Sequence, residues 1–339
     1  MTVRAAIVGL GRWGRSLVNA VHGKTDAIAF VAGHTRTRAA AEDFCREKNI
    51  ALLDRFEDVL ARPDIDAVVL ATPHSLHAEQ VIAAALAGKH IHVEKPLTLD
   101  WPSAEVAVAA AKRANVLLAV GFNRRFHPNI VEVRKRLHEG RLGDVMSMVA
   151  QHTTSTGQFI PSENWRAQPD EAPGGAFTAV GVHSLDHMIE FGGPVRDVLC
   201  TTGRYLPGSS DDTTNVMLRF ESGATGLMFC SVATATTFSF TVFGTKGLAE
   251  ISQSSLQRLR FVPTSTTPPT GLVTAPPDEI VESPPFDMLH AELVAFAQCI
   301  EQRKPYPVAI DQVLHGMAVF DAVVRSARTG QIERVEGRI

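Results

Sequence analysis

One stretch of the sequence places a lysine directly after a predicted strand. Residues 91–93 are Ile-His-Val, and Glu94, Lys95 and Pro96 follow them without a gap. Ligands bind at the carboxyl ends of the strands in an open parallel sheet. Lys95 is therefore a candidate to hold a reacting oxygen or to transfer a proton. The alternative is a solvated surface lysine beside a glutamate.

A second candidate group lies near the middle of the chain. A glycine pair, Gly174-Gly175, precedes His183 and Asp186 on a predicted helix. Histidine changes its charge near neutral pH, so His183 is a candidate acid or base. His183 and Asp186 are three residues apart and share one helical face. The alternatives are a hydrogen-bonded core histidine and a structural carboxylate.

A glycine-rich turn follows the first predicted strand, residues 5–8. In its GxGxxG pattern, Gly9 permits a tight turn, Gly11 lets the backbone approach a pyrophosphate, and Gly14 lets the next helix pack on the strand. The pyrophosphate would rest on the helix N-terminus, where free N–H groups favour anions. The predicted dinucleotide-binding residues of this turn are Gly9, Gly11, Arg12, Trp13 and Gly14.

The end of the second predicted strand, residues 27–32, indicates which nicotinamide cofactor binds. NAD sites usually carry an acidic residue here for the ribose 2′-hydroxyl. This chain has Gly33 instead, with Thr35 and Arg36 next to it. Without the carboxylate a 2′-phosphate is not repelled, and a guanidinium binds it bidentately. NADP is therefore favoured, with NAD as the alternative, unless Arg36 and the nearby Arg38 are simply solvated.

The elements that position these residues form two predicted domains, 1–121 and 122–339, as expected for 339 residues. In the first, strands alternate with helices up to Gly121, which predicts a doubly wound parallel sheet. The strand 67–71 also ends in polar residues, Thr72-Pro73 and His77. Pro73 turns the chain, and His77 could cap or pack at the start of the next helix.

The second domain is predicted to be α+β, with a large, mainly antiparallel sheet behind a first helix that ends near residue 140. Alternation of apolar and polar residues over 214–220 indicates one wet face. The proline-rich segment 263–285 is predicted to be an exposed loop with edge pieces. Two closing helices carry apolar stripes that we assign to the core. The predicted strands are 145–154, 197–202, 214–220, 225–232, 238–243 and 248–251.

Composition excludes several classes of protein. A formal net charge of −3 offers no basic stripe for nucleic acid, and no apolar run reaches the ~18 residues of a membrane span. The N-terminus has no signal-peptide pattern. Four scattered cysteines lack metal-binding or disulfide spacing, so we expect no metal and buried thiols in a reducing compartment. A cytoplasmic protein is the resulting expectation.

The motifs together resemble the glucose–fructose oxidoreductase, inositol dehydrogenase and rhizopine-catabolism family, written Gfo/Idh/MocA. The resemblance covers nearly the whole chain, and Glu-Lys-Pro with His-x-x-Asp is a specific combination. The matching segments are GxGxxG at 9–14, Ala-Thr-Pro-x-x-x-His at 71–77, Glu-Lys-Pro at 94–96, Gly-Phe-Asn-Arg-Arg-Phe at 121–126, Trp165-Arg166, Gly-Val-His-x-x-Asp at 181–186 and Ser-Ala-Arg-Thr-Gly at 326–330.

The resemblance implies a Rossmann domain followed by an α+β domain whose open sheet often forms an oligomer interface, here a homodimer or homotetramer. It implies hydride transfer between nicotinamide and a carbinol or carbonyl carbon of a small molecule such as a sugar, cyclitol or other cyclic alcohol. It assigns substrate binding and proton transfer to Lys95 and His183. Further residues assigned to the substrate are Arg124, Trp165, Arg166 and Asp186. Those assigned to the cofactor are Thr35, Arg36, Thr72, Pro73, His77, Glu94 and Lys95.

Two positions depart from the family pattern. Ala179 stands where an aspartate usually precedes the histidine by one helical turn, and His74 stands where asparagine is frequent. Asp186 is the nearest candidate to orient His183 instead. We therefore expect a substrate without the hydroxyl that this aspartate would bind. The loss also leaves open a cofactor-binding regulatory protein without turnover, and a glycosidase that uses transient oxidation is a minor third hypothesis.

Overall fold

The computed structural model describes residues 2–161, 163–207, 210–265 and 277–337. The chain divides into two compact units, which are Met1–Asn123 with Asp287–Met317, and Arg124–Phe286 with Ala318–Ile339. The predicted boundary at residue 121 lies close to this division. The prediction placed all of 122–339 in the second domain, however, whereas the segment Asp287–Met317 belongs to the first unit.

The first unit contains a six-stranded parallel sheet in the order β3-β2-β1-β4-β5-β6. This order is that of a doubly wound dinucleotide-binding fold, so the predicted parallel sheet is confirmed. The central strands are apolar without alternation because helices cover both faces. Its strands are β1 Val3–Val8, β2 Ile28–His34, β3 Ala51–Leu53, β4 Ala67–Leu70, β5 His90–Glu94 and β6 Leu118–Gly121.

The helices of the first unit flank the sheet, and the helix α8 packs against α1, β1 and β2. This contact explains why a segment so late in the chain belongs to the first unit. The helices are α1 Arg12–Val21, α2 Glu42–Glu47, α3 Phe56–Leu60, α4 His77–Leu86, α5 Trp101–Ala114 and α8 Met288–Gln302.

The second unit contains a nine-stranded sheet in the order β14-β13-β12-β11-β7-β10-β9-β8-β15. Only β7 and β10 pair in parallel among its described strands, so the mainly antiparallel prediction is confirmed. Burial alternates along the strands, as expected for a sheet with one exposed face. The strands are β7 Val145–Thr153, β8 Val195–Gly203, β9 Thr213–Phe220, β10 Thr225–Ser231, β11 Thr237–Gly244, β12 Gly247–Ser252, β13 Arg258–Pro263, β14 Glu279–Glu282 and β15 Glu333–Arg334.

The helices of the second unit are α6 Pro128–His138 and α7 Val182–Gly192, with a π-helical turn, Phe177–Gly181, directly before α7. The closing helix α9, Ile310–Thr329, contributes to both units. The sequence did not indicate β3, β13 or β15. Of these, β3 and β15 are only three and two residues long. The edge strand β14 agrees with the predicted edge pieces, while residues 266–276 of the proline-rich segment lie outside the described residues.

The described helices include none long and apolar enough to cross a membrane. Across the same residues, no cluster of three acidic, histidine or cysteine side chains has the arrangement of a metal site. Three of the four cysteines, Cys45, Cys200 and Cys230, are buried free thiols, and Cys299 is partly exposed. Burial raises the pKa of the Cys200 thiol to about 12.

Candidate functional site

The glycine turn after β1 has the geometry that a dinucleotide requires. Gly9 has a φ of +97°, and a Cβ there would lie 2.5 Å from the carbonyl oxygen of Ala71. A Cβ on Gly14 would collide with the carbonyl oxygen of Gly9. A Cβ on Gly11 would meet nothing within 4 Å. Two glycines therefore permit close packing of the turn, and the third leaves open space over the backbone.

This open space lies at the N-terminus of α1. Gly11 is the N-cap and provides no side-chain cap to the first turn, and Arg12 and Trp13 begin the helix. The first N–H groups of a helix lack partners within the helix and favour an anion. The turn therefore fits the pyrophosphate of a dinucleotide.

The end of β2 distinguishes the two arginines that the sequence placed near the adenosine ribose. The guanidinium of Arg38 donates to Glu42 at 3.2 Å, to Asp54 at 2.5 Å and to the Leu52 carbonyl. Arg36 is exposed, directly beyond β2 and the partly exposed Thr35. Arg38 is thus held by its own surroundings, and Arg36 is the better candidate for a 2′-phosphate.

His77 connects the loops that follow β4 and β5. It is fully buried, with Nδ1 2.9 Å from the Pro96 carbonyl oxygen and Nε2 3.2 Å from that of Thr72. The Thr72 hydroxyl donates to Gln80. The burial and contacts of His77 suit a residue that positions Thr72, Pro73 and the Glu-Lys-Pro loop. Its assignment to the cofactor stays a prediction.

An unexpected acidic cluster lies at the end of β5. We use this term for His92, Glu94 and Glu292, which are all buried, at 0%, 7% and 0% relative exposure. His92 Nε2 is 3.6 Å from the Glu292 carboxylate, and neither side chain has a hydrogen-bond partner among the described residues. The Glu94 carboxyl lies against Gly121, where a Cβ would be 3.1 Å from Oε1.

Burial dominates the electrostatics of the acidic cluster. It raises the pKa of Glu94 to about 7, with the Glu292 carboxyl adding to the rise. Burial also raises the pKa of Glu292 well above its usual value and lowers that of His92 to about 4. Glu94, which lies beside the partly exposed Lys95, therefore changes its charge near neutral pH.

The apolar stripe of α8, which we assigned to the core without chemistry, includes Glu292. The residue lies three positions after Leu289 and four before Phe296, so the helical period places it on the stripe. A carboxylate on the core face of an amphipathic helix was the signal that we overlooked. The helix was predicted correctly, but its buried face is not purely apolar.

In the second unit, Asp186 forms a buried bidentate ion pair with Arg125. The two Arg125–Asp186 contacts are 2.6 and 2.7 Å, and Nη1 of Arg125 is 3.1 Å from Glu190. Glu190 also pairs with Arg134. Both carboxylate oxygens of Asp186 are thus engaged by Arg125. This pairing supports the structural alternative for Asp186 over substrate binding or orientation of His183.

His183 lies in the first turn of α7 and is partly exposed. Two glycines at positive φ, +79° at Gly174 and +63° at Gly175, lead the chain towards the π-helical turn, and a side chain on Gly175 would collide with the backbone of Asp211. Ala179 is exposed on that turn. π-helical turns occur frequently at functional sites, so the backbone before His183 is itself unusual.

Near His183, Arg124 contacts His152, a residue that the sequence did not single out. Arg124 Nη2 is 3.0 Å from His152 Nε2, and His152 Nδ1 is 3.1 Å from the Val180 carbonyl oxygen. The His152 and His183 ring centroids are 6.4 Å apart. We call Arg124, His152 and His183 the basic cluster. His152 lies near the end of β7, and no pattern in the predicted strand 145–154 singled it out.

Trp165 and Arg166 form a short 3₁₀ turn, Trp165–Ala167, that begins at Asn164. The guanidinium of Arg166 lies 4.1 Å from the centre of the Trp165 ring system. Trp165 is partly exposed and Arg166 is exposed. Their assignment to the substrate stays a prediction.

The parallel sheet and glycine turn define a dinucleotide-binding protein, to which a second unit with an open sheet is joined. Two family models match this arrangement. The oxidoreductase family with an NAD-binding Rossmann fold matches residues 3–122, and the Gfo/Idh/MocA C-terminal domain matches residues 130–250. The chain belongs to the Gfo/Idh/MocA family of oxidoreductases.

Named relatives agree with this assignment. The chain is 35% identical to the inositol 2-dehydrogenase of Rhizobium meliloti over 188 residues, which is 55% of this chain and 54% of that protein. It is 28% identical to the trans-1,2-dihydrobenzene-1,2-diol dehydrogenase of Oryctolagus cuniculus over 223 residues, 65% of this chain and 66% of that protein. The matches thus span about half to two thirds of these relatives.

A solved structure extends the likeness in fold. Levoglucosan dehydrogenase in complex with NADH superimposes with a TM-score of 0.88 over 99% of this chain and 100% of that chain, at 22% identity. At this identity the likeness concerns the fold of the chain.

Proposed function

We propose that the protein is an NAD(P)-dependent oxidoreductase that acts on a CH–OH group or the matching carbonyl. The observation that carries this proposal is the glycine turn, whose open space at Gly11 faces the uncapped N-terminus of α1. Family membership and the dehydrogenase names of the relatives support it. When bound, the nicotinamide would supply the hydride acceptor or donor.

The chain's own residues would bind and move the proton. Lys95, at the end of β5, would hold the reacting oxygen. The buried Glu94 beside it would gain or lose a proton near neutral pH. His183, in the first turn of α7, would exchange the proton of that oxygen. His77 would hold the loops that carry Thr72 and Lys95 in position.

The substrate class we propose is a sugar, cyclitol or other cyclic alcohol. The matched relatives are named for an inositol and for a dihydrobenzenediol. Arg124, Trp165 and Arg166 are the proposed substrate-binding residues. The family pattern has an aspartate at position 179, and Ala179 cannot bind the substrate hydroxyl that this aspartate would bind. A substrate ring that lacks this hydroxyl is therefore favoured.

The proposed cofactor preference is NADP over NAD. Gly33 contributes no carboxylate to repel a 2′-phosphate, and Arg36 is exposed directly beyond β2. A guanidinium binds phosphate bidentately, which suits it to this role.

We also propose a homodimer or homotetramer formed through the outer face of the large sheet. Leu199, Met217, Leu227 and Val149 are neighbours in register across four strands on that face. Met217 and Leu227 are 41% and 48% exposed. A row of exposed apolar side chains on an open sheet suits contact with a second copy. Light scattering on the purified protein tests this, and a monomer at all concentrations would contradict it.

The function is tested by a dehydrogenase screen of the purified protein with both cofactors against sugars, cyclitols and cyclic diols. We expect reduced nicotinamide to form with at least one of them. The main alternative is a regulatory protein that binds the cofactor without turnover, favoured only by Ala179. Tight cofactor binding with no reduction by any alcohol and no oxidation by any ketone would support that alternative instead.

A further inference from the structure

Two adjacent arginines of the second unit differ in their counter-ions. Arg125 is buried against the carboxylates of Asp186 and Glu190. Arg124 donates to an imidazole, that of His152, and its guanidinium lies 4.5 Å from the centre of the Phe238 ring. No ion pair joins Arg124 to a carboxylate in the described part of the chain. One cation is therefore neutralised by the protein and the next one is not.

The uncompensated cation also has an unused donor. Nη1 of Arg124 is shielded from water and has no hydrogen-bond partner among the residues described. Burial lowers the pKa of Arg124 to about 10, and no nearby acid offsets this. At neutral pH the guanidinium still carries its charge, because an arginine does not release its proton there. A shielded charge without a counter-ion is costly, and buried charges are normally paired.

The neighbours of Arg124 cannot supply the missing negative charge. Arginine has only donors, so His152 Nε2 must accept from Arg124, and His152 Nδ1–H then donates to the Val180 carbonyl. His152 is thereby held as a neutral imidazole. Ala179 and Val180, on the π-helical turn that receives this bond, carry no charge. Arg124 as a residue is partly exposed, so an anion from solution can approach it.

We propose that Arg124 binds a carboxylate of the substrate, so that the substrate is an acidic ring alcohol, such as a sugar acid or a hydroxylated ring carboxylic acid, rather than a neutral polyol. This proposal rests on the oxidoreductase function proposed above. A carboxylate is preferred to a phosphate because the site offers a single unpaired positive charge. His152 acts as a positioning residue that fixes the guanidinium against the turn before His183.

The test compares matched substrates that differ only in the acidic group. The wild-type enzyme is assayed with NADP and with NAD on D-glucose, D-glucuronate and D-glucose 6-phosphate, and on cyclohexanediol and its ring-carboxylated counterpart. We expect kcat/KM to be about ten- to hundred-fold higher for the carboxylates than for the neutral members, the range for one charge-assisted hydrogen bond. Equal or lower values for the carboxylates overturn the proposal, and a preference for the phosphate overturns the choice of carboxylate.

Arg124→Met and Arg124→Lys identify the residue responsible. We expect the ratio of acidic to neutral kcat/KM to fall towards one in Arg124→Met and to be partly kept in Arg124→Lys. Because Arg124 also packs on Phe238, unfolding temperature and NADP affinity are measured for both variants. A ratio that is unchanged in a folded Arg124→Met contradicts the assignment.

A binding measurement separates this proposal from the proposed function. The protein saturated with NADP is titrated calorimetrically with cyclohexanecarboxylate and with cyclohexanemethanol. If no substrate is turned over but the carboxylate binds wild type and not Arg124→Met, the enzyme proposal fails and the anion site stands. If neutral alcohols are oxidised and the carboxylate neither binds nor reacts, the enzyme proposal stands and the anion site is wrong.

Discussion

Each unit holds a group of ionisable side chains, and the groups have opposite character. The group in the first unit is buried, whereas Arg124 and His183 of the second are partly exposed. The acidic cluster of the first unit places two carboxyls around a histidine, and no lysine or arginine pairs with Glu292 among the described residues. The basic cluster of the second unit places Arg124 against His152, and no carboxylate of the described part of the chain pairs with Arg124. A buried carboxyl can avoid its charge by keeping a proton, but a guanidinium cannot.

This difference determines how each unit responds to its surroundings. The raised pKa of Glu94, about 7, makes the end of β5 sensitive to pH close to neutrality. Arg124 stays charged throughout that range, so its cost is relieved only by an anion that binds from outside. The acidic cluster is therefore best tested by the pH dependence of stability. The basic cluster is best tested by comparing acidic with neutral ligands.

The largest expected effect concerns Lys95, which directly follows Glu94 of the acidic cluster at the end of β5. Lys95→Met should reduce turnover by roughly 10²–10⁴-fold, the range for loss of a proton-transfer group. Steady-state rates with any substrate found in the screen measure this, and NADPH affinity should change only a few-fold. Lys24→Met, at an exposed lysine of the same unit, is the matched control. Turnover that survives in Lys95→Met would mean that the assigned role is wrong.

A similar loss is expected in the second unit at His183. His183→Ala should lose about 10²-fold or more in turnover, for the same reason. Ala179→Asp should bring no gain, because it places a negative charge on the exposed turn before His183. The opposite result, faster turnover of neutral sugars by Ala179→Asp, would indicate a decayed sugar site and strengthen the regulatory hypothesis.

The next largest effect, on the free energy of unfolding, is expected from the buried ion pair between Arg125 and Asp186. Asp186→Asn should lower the free energy of unfolding by about 3 kcal/mol, at the low end for breaking a buried pair because Glu190 still faces Arg125. Urea denaturation measures this. Asp311→Asn breaks the exposed pair with Lys112 and should cost only about 0–1 kcal/mol. Equal losses in the two variants would contradict the structural role of Asp186.

A smaller effect is expected where β2 ends. Arg36→Ala should weaken NADPH binding by about 1–3 kcal/mol, the range for losing a charge-assisted partner, and should leave NADH binding nearly unchanged. Arg38→Ala is the control, because Glu42 and Asp54 already engage its guanidinium. Fluorescence titration of both cofactors decides the matter. Tighter binding of NADH than of NADPH by the wild type would contradict the proposed preference for NADP.

The smallest expected effect concerns the acidic cluster, which should change how the free energy of unfolding depends on pH. The pKa of Glu94 rises from 4.5 to about 7 on folding, so the folded state holds a proton that the unfolded state releases. Stability from this group is complete below pH 4.5 and is lost as the pH rises towards 7. The raised pKa of Glu292 acts in the same direction.

Glu292→Gln removes one of these carboxyls and lets the pKa of Glu94 fall. The free energy of unfolding of this variant, relative to wild type, should therefore increase between about pH 5 and about pH 8. Urea denaturation at both pH values measures the difference. A difference that is independent of pH would show that the cluster does not hold protons as described.

The sequence predicted the architecture well because the architecture follows from local patterns. The glycine turn, the buried strands up to Gly121 and the alternation in β9 each identify an element without knowledge of its partners. The sequence failed where burial depends on distant residues. Glu292 meets His92 only because α8 packs on the first unit, and Arg125 engages Asp186 across 61 positions of the chain. Neither pairing has a local signal, so neither could be predicted from the sequence.

The direct test of the central claim is the fate of the hydride. The alcohol found in the screen is prepared with deuterium on its carbinol carbon and incubated with the enzyme and NADP, and the reduced cofactor is analysed by mass spectrometry. We predict that the reduced nicotinamide carries the deuterium and that Lys95→Met forms it far more slowly. Reduced cofactor without deuterium, or tight cofactor binding with no reduction by any alcohol, would contradict a hydride-transferring enzyme.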